Sequence, residues 1–320
     1  MTMLSPQHTA TLLPYPDLVV ALRAAALEVA AGRIACPQRQ VMAMGEGGTL
    51  LSMVAVGADV AVHKLVTVVP RNPQRGLPTI QGQVTVLNSP SGELLLTLDG
   101  ATVTGRRTAA LSMLGILTLL RHPPLSLRIY GTGTQSLHHL QAISALFPGA
   151  RVQVVGRTRA ASARFCEAHA QQHALLAPAG AQTAADDANV IITCTTSAEP
   201  VYTEAARSGR LVVAVGAFTP GAAEVAAATV RGSALYVDDL VNARDEAGDL
   251  IRAGVDWAQV EPLSGALSGN GPPSGAVLFK TVGSAAWDLA AARVALRSRA
   301  VTDLSHSAAN VAPPSAHAAP

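Results

Sequence analysis

The segment Leu127-Arg-Ile-Tyr-Gly-Thr-Gly-Thr-Gln-Ser136 runs from a short apolar strand through a glycine turn into a helix. Gly131 allows a tight turn, and Gly133 has no side chain that would keep a pyrophosphate away from the backbone. The first amides of the following helix are unpaired donors at its positive end. Ser136 replaces the third glycine of the usual fingerprint and is small enough to allow close helix packing. The segment therefore predicts the phosphate-binding turn of a dinucleotide site.

The flanking sequence predicts the rest of a βαβ unit. The apolar spacing of residues 137–147 predicts a helix that Pro148-Gly149 ends, and Val152-Gln-Val-Val155 predicts a second strand. Later apolar runs, alternating with helical stretches, predict further strands at residues 190–193, 211–215 and 235–237. We therefore expect an α/β fold with a doubly wound parallel sheet of the Rossmann type. The alternative is that the glycine turn belongs to some other α/β protein.

The residues after the second strand predict which dinucleotide is bound. Enzymes that bind NAD usually have an Asp or Glu there, which accepts hydrogen bonds from the ribose hydroxyls. This chain instead has Gly156-Arg157-Thr158-Arg159. A guanidinium and a hydroxyl suit the 2′-phosphate of NADPH, because both can form charge-assisted bonds with it. We therefore predict NADPH as the preferred cofactor, with NADH as a possible substitute.

The first third of the chain predicts a different kind of sheet. Residues 39–98 contain short, β-branched and often alternating runs, and Asn88-Ser-Pro-Ser-Gly92 predicts a hairpin turn between two of them. A helix is expected before this sheet over residues 17–31, with Asp17 as its N-cap. A long, mostly buried helix over residues 101–120 leads from the small sheet to the glycine turn.

Composition restricts the possible partners. The 320 residues include 49% hydrophobic and 14% charged side chains, which suit a large core and two domains. A net charge of +2 and 3% aromatic residues argue against a nucleic-acid partner. The three cysteines lack CxxC spacing, so they indicate neither a disulfide framework nor a zinc site and fit a reducing cytoplasm. Since we find no secretory signal and no run of bilayer-spanning length, we expect a soluble, cytoplasmic protein without a membrane partner.

Four polar residues of the first third are candidates for a functional site: Arg39, Lys64, Thr79 and Arg107. Lys64 lies within the apolar run 60–69, where an unpaired ammonium is costly, so it needs an anionic partner or a cavity. Arg107 follows Arg106 in an apolar helix, and whichever of the two is buried also needs an anion. Each residue alone could serve an internal ion pair or reach solvent through its long stem. Together they suggest a site for a small carboxylate.

Six segments, in this order, carry a family resemblance: His63-Lys-Leu-Val-Thr67, Arg75-Gly-Leu-Pro-Thr-Ile-Gln-Gly82, Thr104-Gly-Arg-Arg-Thr-Ala-Ala110, Gly131-Thr-Gly-Thr-Gln135, Val215-Gly-Ala-Phe-Thr-Pro220 and Phe279-Lys-Thr-Val-Gly283. With them, the chain resembles the ornithine cyclodeaminase/mu-crystallin family over residues 33–297. The resemblance implies a homodimer. It also implies a substrate-binding and dimerisation domain at residues 1–107, completed by a C-terminal helix at 284–300, and a Rossmann domain at 108–283. Residues 305–320 are rich in Ala, Pro, Ser and His and predict a disordered tail.

The resemblance further implies roles for individual residues. Arg39, Lys64 and Arg107 are expected to bind a substrate carboxylate, and Thr79 to line the same pocket. The residues assigned to the cofactor lie mainly in the glycine turn, after the second strand and in the family's nicotinamide-side loop. They are Thr108, Gly131, Thr132, Gly133, Thr134, Gln135, Gly156, Arg157, Thr158, Arg159, Thr195, Thr196, Ser197, Val215 and Gly216.

One position departs from the family's cyclodeaminases. Members that cyclise ornithine have an aspartate at the position of Phe218, and that carboxylate handles the substrate amine and water. Phenylalanine cannot accept a proton, so deaminating cyclisation lacks its base unless another carboxylate, such as Glu224, replaces it. The form Gly216-Ala-Phe-Thr-Pro220 is similar to that of the family's ketimine reductases. These reduce Δ1-pyrroline-2-carboxylate or Δ1-piperideine-2-carboxylate to proline or pipecolate, and we expect Phe218 to bind such a substrate.

The predicted reaction is direct hydride transfer from NADPH to the imine carbon of the bound ring. Lys64 and Arg107 are the expected catalytic residues: Lys64 helps to supply the proton that the imine needs, while Arg39 and Arg107 clamp the carboxylate. Other functions stay open at this point. They are an ornithine cyclodeaminase with bound NAD, a related alanine dehydrogenase or opine-type synthase, and a non-catalytic binding protein similar to mu-crystallin.

Overall fold

The computed structural model describes residues 3–181, 183–185, 187–269 and 271–309. Its helices are α1 (Pro6–Thr11), α2 (Tyr15–Ala30), α3 (Gly100–Leu119), α4 (Thr134–Leu146), α5 (Arg159–Ala168), α6 (Ala227–Arg231), α7 (Leu240–Glu246), α8 (Gly248–Ala253), α9 (Leu263–Ser268) and α10 (Ala285–Ala309). Its strands are β1 (Gln40–Met44), β2 (Gly48–Val56), β3 (Val60–Val68), β4 (Ile80–Asn88), β5 (Leu94–Asp99), β6 (Ser126–Tyr130), β7 (Arg151–Val155), β8 (Leu176–Pro178), β9 (Val190–Thr193), β10 (Leu211–Ala214), β11 (Ala234–Val237), β12 (Val260–Pro262) and β13 (Val277–Lys280). Among the described residues, no helix combines the length and apolar character that a membrane crossing needs.

The first five strands form an antiparallel sheet in the order β1-β2-β3-β4-β5. Because side chains alternate along β3, Val62, Lys64 and Val66 all point to its buried side, and α10 packs against this strand. The predicted turn closes the hairpin between β4 and β5, where the Asn88 amide donates to the Glu93 carbonyl at 2.8 Å. The alternation of β3 therefore places one charged side chain in the apolar core between sheet and helix.

The other eight strands form a parallel sheet in the order β12-β11-β13-β10-β9-β6-β7-β8, so the predicted Rossmann-type α/β fold is confirmed. Its central strands β13, β10, β9 and β6 are buried along their whole length, as expected of strands covered on both faces. The sequence patterns did not predict β13, because its three apolar residues are followed by Lys280, a charge that is not expected in a fully buried strand.

Helix α3 connects the two sheets. It begins after Asp99, whose carboxylate accepts the Thr102 amide at 2.7 Å and so caps the helix. A Cβ atom at Gly115 would overlap the Phe279 ring, so this glycine lets β13 pack closely against α3. The expected boundary between residues 107 and 108 falls inside this single helix, which is buried over most of its length.

Helix α10 returns the chain from the parallel sheet to the antiparallel one and packs against α2, β2 and β3. It begins at Ala285, shortly after β13, and its buried first turn carries Trp287 and Asp288. The helix continues to Ala309, beyond its expected end. Residues 305–309 of the expected tail are therefore helical, and residues 310–320 lie outside the described part of the chain.

Two helices begin earlier than predicted. Helix α2 starts at Tyr15 with Pro14 as its N-cap, so the prediction that Asp17 caps it was wrong. Asp17 lies in the first turn instead, where its charge still suits the helix dipole. Helix α4 starts at Thr134, directly after the glycine turn, whereas the apolar pattern that predicted it begins at Leu137.

Candidate active site

A cleft of about 480 Å³ lies at the carboxyl ends of β6, β7 and β9. Parallel sheets bind their ligands in this crevice. Eight of the predicted cofactor residues line it: Gly131, Thr132, Gly133, Gly156, Arg157, Thr195, Thr196 and Ser197. The cleft therefore brings together the glycine turn, the residues that follow β7 and the loop that follows β9.

The geometry of the glycine turn fits a pyrophosphate. Gly131 has a φ of +125°, and a Cβ atom there would lie 2.8 Å from the Cys194 carbonyl oxygen, so the position requires glycine. A Cβ atom at Gly133 would meet no atom within 4 Å. Gly133 is also the N-cap of α4, and no side chain caps this helix. The first amides of α4 are therefore available to an anion, as a dinucleotide requires.

Seven predicted cofactor residues are not among the described residues that line the cleft: Thr108, Thr134, Gln135, Thr158, Arg159, Val215 and Gly216. Thr158 caps α5, because its hydroxyl oxygen accepts the Ala161 amide at 3.1 Å. Thr108 is buried in α3, and Arg159 is exposed in the first turn of α5. Gly216 follows β10 and donates its amide to the Glu224 carboxylate. Thr134 and Gln135 directly follow the glycine turn as the first residues of α4.

Lys64 and Arg107 share one carboxylate, that of Asp288. The Lys64 ammonium lies 2.8 Å from Oδ2, and the Arg107 Nε lies 3.4 Å from Oδ1. All three side chains are buried, whereas Arg106 stacks on the Tyr15 ring, 4.0 Å from its centroid. Burial lowers the pKa of Lys64 to about 8, against the opposing effect of Asp288. Two cations on one carboxylate leave one positive charge for an anionic ligand.

The loop between β13 and α10 holds the third predicted cation. Arg39 Nη2 donates to the carbonyls of Val282 and Gly283 at 3.0 and 2.6 Å. The amides of the same two residues donate to the Asp238 carboxylate, each at 2.9 Å. Gly283 has a φ of +87°, and a Cβ atom there would lie 3.0 Å from Arg107 Nη2. The loop therefore lies between Arg39 and Arg107 and fixes both relative to the parallel sheet.

Glu246, at the end of α7, is the counter-ion of Arg39. Its Oε2 lies 3.0 Å from Arg39 Nη2. Burial raises the pKa of Glu246 to about 7; Arg39 opposes this rise, and Asp238 and Asp239 add to it. Near neutral pH Glu246 is therefore only partly ionised. It neutralises the positive charge of Arg39 incompletely, so Arg39 can attract another anion.

Thr79 and Phe218 are not joined to these cations by any hydrogen bond or ion pair of the described residues. Thr79 is half-buried directly before β4, and its carbonyl accepts the Val69 amide at 2.8 Å. Phe218 is 46% exposed in the loop after β10. The structure thus brings Arg39, Lys64 and Arg107 into one group, and no hydrogen bond or ion pair among the described residues ties Thr79 or Phe218 to it.

Glu224 is the carboxylate that the sequence offered as a replacement for the absent aspartate. Its Oε1 accepts the Thr195 amide at 2.5 Å, and its Oε2 accepts the Thr193 hydroxyl at 3.1 Å and the Gly216 amide. Burial raises the pKa of Glu224, while Lys280 and Thr195 oppose the rise. Both oxygens are thus bound by the protein, and they tie the loop after β9 to the loop after β10.

Three acidic residues of the site were not predicted from the sequence: Asp238, Glu246 and Asp288. The neighbour of Asp238, Asp239, caps α7 with its carboxylate, whereas Asp238 binds the loop after β13. A signal for Asp288 was available, because it is an isolated charge in an alanine-rich helix, as Lys64 is in an apolar strand. Two such buried charges of opposite sign are expected to pair.

Comparison with known proteins adds three findings. The sequence model of the ornithine cyclodeaminase/mu-crystallin family matches residues 2–302. A Δ1-pyrroline-2-carboxylate/Δ1-piperideine-2-carboxylate reductase from Azospirillum brasilense is 50% identical over 301 residues, which cover 92% of this chain and 97% of the relative. Δ1-pyrroline-2-carboxylate reductase 2 from Burkholderia ambifaria is 52% identical over 288 residues, covering 90% and 93%.

A solved structure supports the fold. The Δ1-pyrroline-2-carboxylate reductase of Thermococcus litoralis, solved with NADH and L-proline, superimposes with a TM-score of 0.85. The match covers 95% of this chain and 98% of that one at 23% identity. At this identity the likeness establishes a common fold for the two chains.

Proposed function

The chain belongs to the ornithine cyclodeaminase/mu-crystallin family, and we propose that it reduces a small cyclic ketimine carboxylate with NADPH. The substrate is Δ1-pyrroline-2-carboxylate or Δ1-piperideine-2-carboxylate, and the product is proline or pipecolate. The observation that carries this proposal is the buried group in which Lys64 and Arg107 share one carboxylate. Such a group suits a ligand that is an anion and also needs a proton. Two relatives that are about half identical and bear the names of such reductases support the choice of substrate.

The cations hold the substrate carboxylate in this proposal. Arg39 and Arg107 contact the same loop, at Val282 and Gly283, and both act electrostatically on Lys64, so the three cations form one positively charged group for a carboxylate. Thr79 and Phe218 complete the pocket around the ring. A carboxylate clamped in this way fixes which face of the ring meets the cofactor, and such positioning is a major source of rate acceleration.

Lys64 supplies the proton. An imine accepts a hydride readily only when its nitrogen is protonated, so the site needs an acid that works near neutral pH. With its pKa lowered to about 8, Lys64 holds a proton at neutral pH and releases it more readily than an exposed lysine does. The nicotinamide supplies the hydride when it is bound.

The glycine turn, the first turn of α4 and the loop from Thr195 to Ser197 hold the dinucleotide. Arg157 lines the cleft directly after β7, and Thr158 and Arg159 are exposed beside it. No carboxylate occupies the place after β7 where NAD-binding proteins usually have one. This arrangement supports NADPH over NADH.

A homodimer is part of the proposal, with residues 1–107 and the C-terminal helix at 284–300 as the dimerisation and substrate domain and residues 108–283 as the cofactor domain. All five residues of β1 are exposed, including Val41, Met42 and Met44. β1 is also an edge strand of its sheet. An exposed apolar edge strand is a surface that proteins normally cover, and a second copy of the chain would cover it.

The first experiment compares two reactions of the purified protein. In one, NADPH absorbance is followed with freshly prepared Δ1-pyrroline-2-carboxylate; in the other, ornithine and NAD are supplied and ammonia is measured. We expect rapid NADPH oxidation and no ammonia, because both oxygens of Glu224 are bound by the protein and Phe218 offers no base. Ammonia and proline from ornithine would contradict the proposal in favour of a cyclodeaminase. Binding of NADPH without turnover of either substrate would favour a binding protein.

A further inference from the structure

Three buried charges lie at the carboxyl end of the parallel sheet and take no part in the reaction described above. Lys280, at the end of β13, lies 3.0 Å from Asp249 Oδ2, and both side chains are fully buried. The other oxygen of Asp249 accepts the amides of Glu224 and Val225 at 2.6 and 2.9 Å. Glu224 is also fully buried. We call Lys280, Asp249 and Glu224 the buried trio.

With both carboxylates ionised, the buried trio carries one net negative charge. Each oxygen of Glu224 accepts a backbone amide, from Thr195 and from Gly216, which is the arrangement that stabilises an ionised carboxylate. Lys280 is the ion-pair partner of Asp249 and also acts on the charge of Glu224, so one cation faces two carboxylates. The nearby Arg252 donates to the Ala198 carbonyl but is itself paired with Glu199 at the surface.

This charge lies directly behind the cofactor cleft. Thr195 lines the cleft, and a single hydrogen bond joins its backbone to Glu224. The second contact of Glu224 is Gly216, at the end of the neighbouring strand β10. A Cβ atom at Gly216 would lie 2.8 Å from the Glu224 Cδ, so the loop after β10 packs closely against the carboxylate. A charge in such a place is screened weakly and acts over a long range.

Nicotinamide chemistry changes charge at this position. The dihydronicotinamide ring is uncharged, and it becomes positive when a hydride leaves with both electrons of its C–H bond. A fixed negative charge beside the ring therefore stabilises the oxidised cofactor more than the reduced one, and it favours a transition state in which the positive charge is developing.

We propose that the buried trio, through the charge of Glu224, stabilises the oxidised nicotinamide and so promotes hydride release to the substrate. The inference rests on the proposed function in one respect, namely that the nicotinamide binds beside the loop from Thr195 to Ser197. The role of Glu224 is electrostatic, and its hydrogen bonds to the two loops hold the charge in place.

The test is a pair of binding measurements that need no turnover. Dissociation constants of NADP+ and NADPH, or of NAD+ and NADH if the wild type binds these more tightly, are measured by calorimetry and by nicotinamide fluorescence. In Glu224→Gln we expect the ratio of the oxidised to the reduced constant to rise about tenfold. Asp249→Asn removes a negative charge at another residue of the trio, and its ratio should rise in the same direction. A loop that is merely loosened would weaken both forms alike and leave the ratio unchanged.

Glu204→Gln is the matched control. Glu204 pairs with the buried Arg210, which precedes β10 and so lies at the opposite end of the sheet. Its substitution should lower stability but leave the ratio as in the wild type. An unchanged ratio in a folded Glu224→Gln or Asp249→Asn protein would overturn the inference, as would the same change in Glu204→Gln. Failure of the wild type to bind either dinucleotide would instead refute the proposed function.

Discussion

Asp288 is the residue on which the charge state of the site depends. It is the shared partner of Lys64 and Arg107, and it holds the pKa of Lys64 up against burial. If protonated Lys64 is the acid, activity falls as pH rises through the pKa of about 8. In Asp288→Asn this pKa drops further, so the alkaline limb of the kcat profile should move to lower pH by roughly 1–3 units. A limb at its original pH would exclude Lys64 as the titrating acid.

A control for this variant is a carboxylate that pairs with the same helix from the turn between β2 and β3. Asp59 pairs with Arg293 of α10 at 2.7 Å, outside the site. Asp59→Asn should leave both kcat and the pH profile unchanged. Asp288→Asn is expected to destabilise the fold by about 3–5 kcal/mol, because two buried cations lose their partner. Its profile is therefore measured at a temperature where circular dichroism shows the variant to be folded.

Arg157 is the residue on which cofactor choice is expected to depend. It lines the cleft after β7, where a 2′-phosphate would extend from the ribose. Replacing Arg157 with Ala should raise the KM for NADPH about tenfold or more, because a charge-assisted bond is lost, and should change the KM for NADH little. Arg121→Ala, at a cavity near the start of β6, is the control and should alter neither constant. Equal losses with both cofactors would remove Arg157 from 2′-phosphate recognition.

Two glycines in the turn between β6 and α4 allow a loss of stability to be distinguished from a loss of cofactor binding. At Gly131, alanine would adopt a positive φ and press on the Cys194 carbonyl, so we expect Gly131→Ala to lose about 1–3 kcal/mol of stability. At Gly133 the added methyl group would meet open space, so Gly133→Ala should keep the Tm of the free protein. The same methyl group would occupy the place of the pyrophosphate, and NADPH affinity should fall about tenfold. Tight NADPH binding by Gly133→Ala would show that the phosphates lie elsewhere.

The elements also show what the sequence could predict. The glycine turn, the strands β2 to β5 and the long helix α3 were predictable, because each depends on local periodicity or on turn residues. Strand β13 and the acids of the site were not, since their roles depend on pairings between distant parts of the chain. Lys64 and Asp288, for example, are separated by more than two hundred residues and meet only when α10 packs on β3. A charge in an apolar segment predicts that a partner exists and leaves its identity open.

At the scale of the whole molecule, the site is built where the two sheets meet. The antiparallel sheet contributes Lys64, and Arg39 directly before its first strand, while the parallel sheet contributes Asp238 and the loop at Val282 and Gly283. The chain passes from the antiparallel to the parallel sheet through α3 and returns through that loop. Arg107 lies on α3 and contacts the loop at Gly283. The cations are therefore fixed to the parallel sheet by the chain connections themselves.

The quaternary structure is the last property that the molecule allows us to predict. β1 is an exposed edge strand with Val41 60% exposed, so a lysine there would cost the isolated chain little stability but would place a charge in the proposed interface. We expect wild-type protein to sediment as a dimer at micromolar concentration and Val41→Lys to sediment as a monomer with an unchanged circular dichroism spectrum. Leu117→Lys, at an apolar residue of α3 that is 51% exposed, is the control and should stay dimeric. If Val41→Lys is still a dimer while Leu117→Lys dissociates, the interface lies on the helical face and the antiparallel sheet is not its centre.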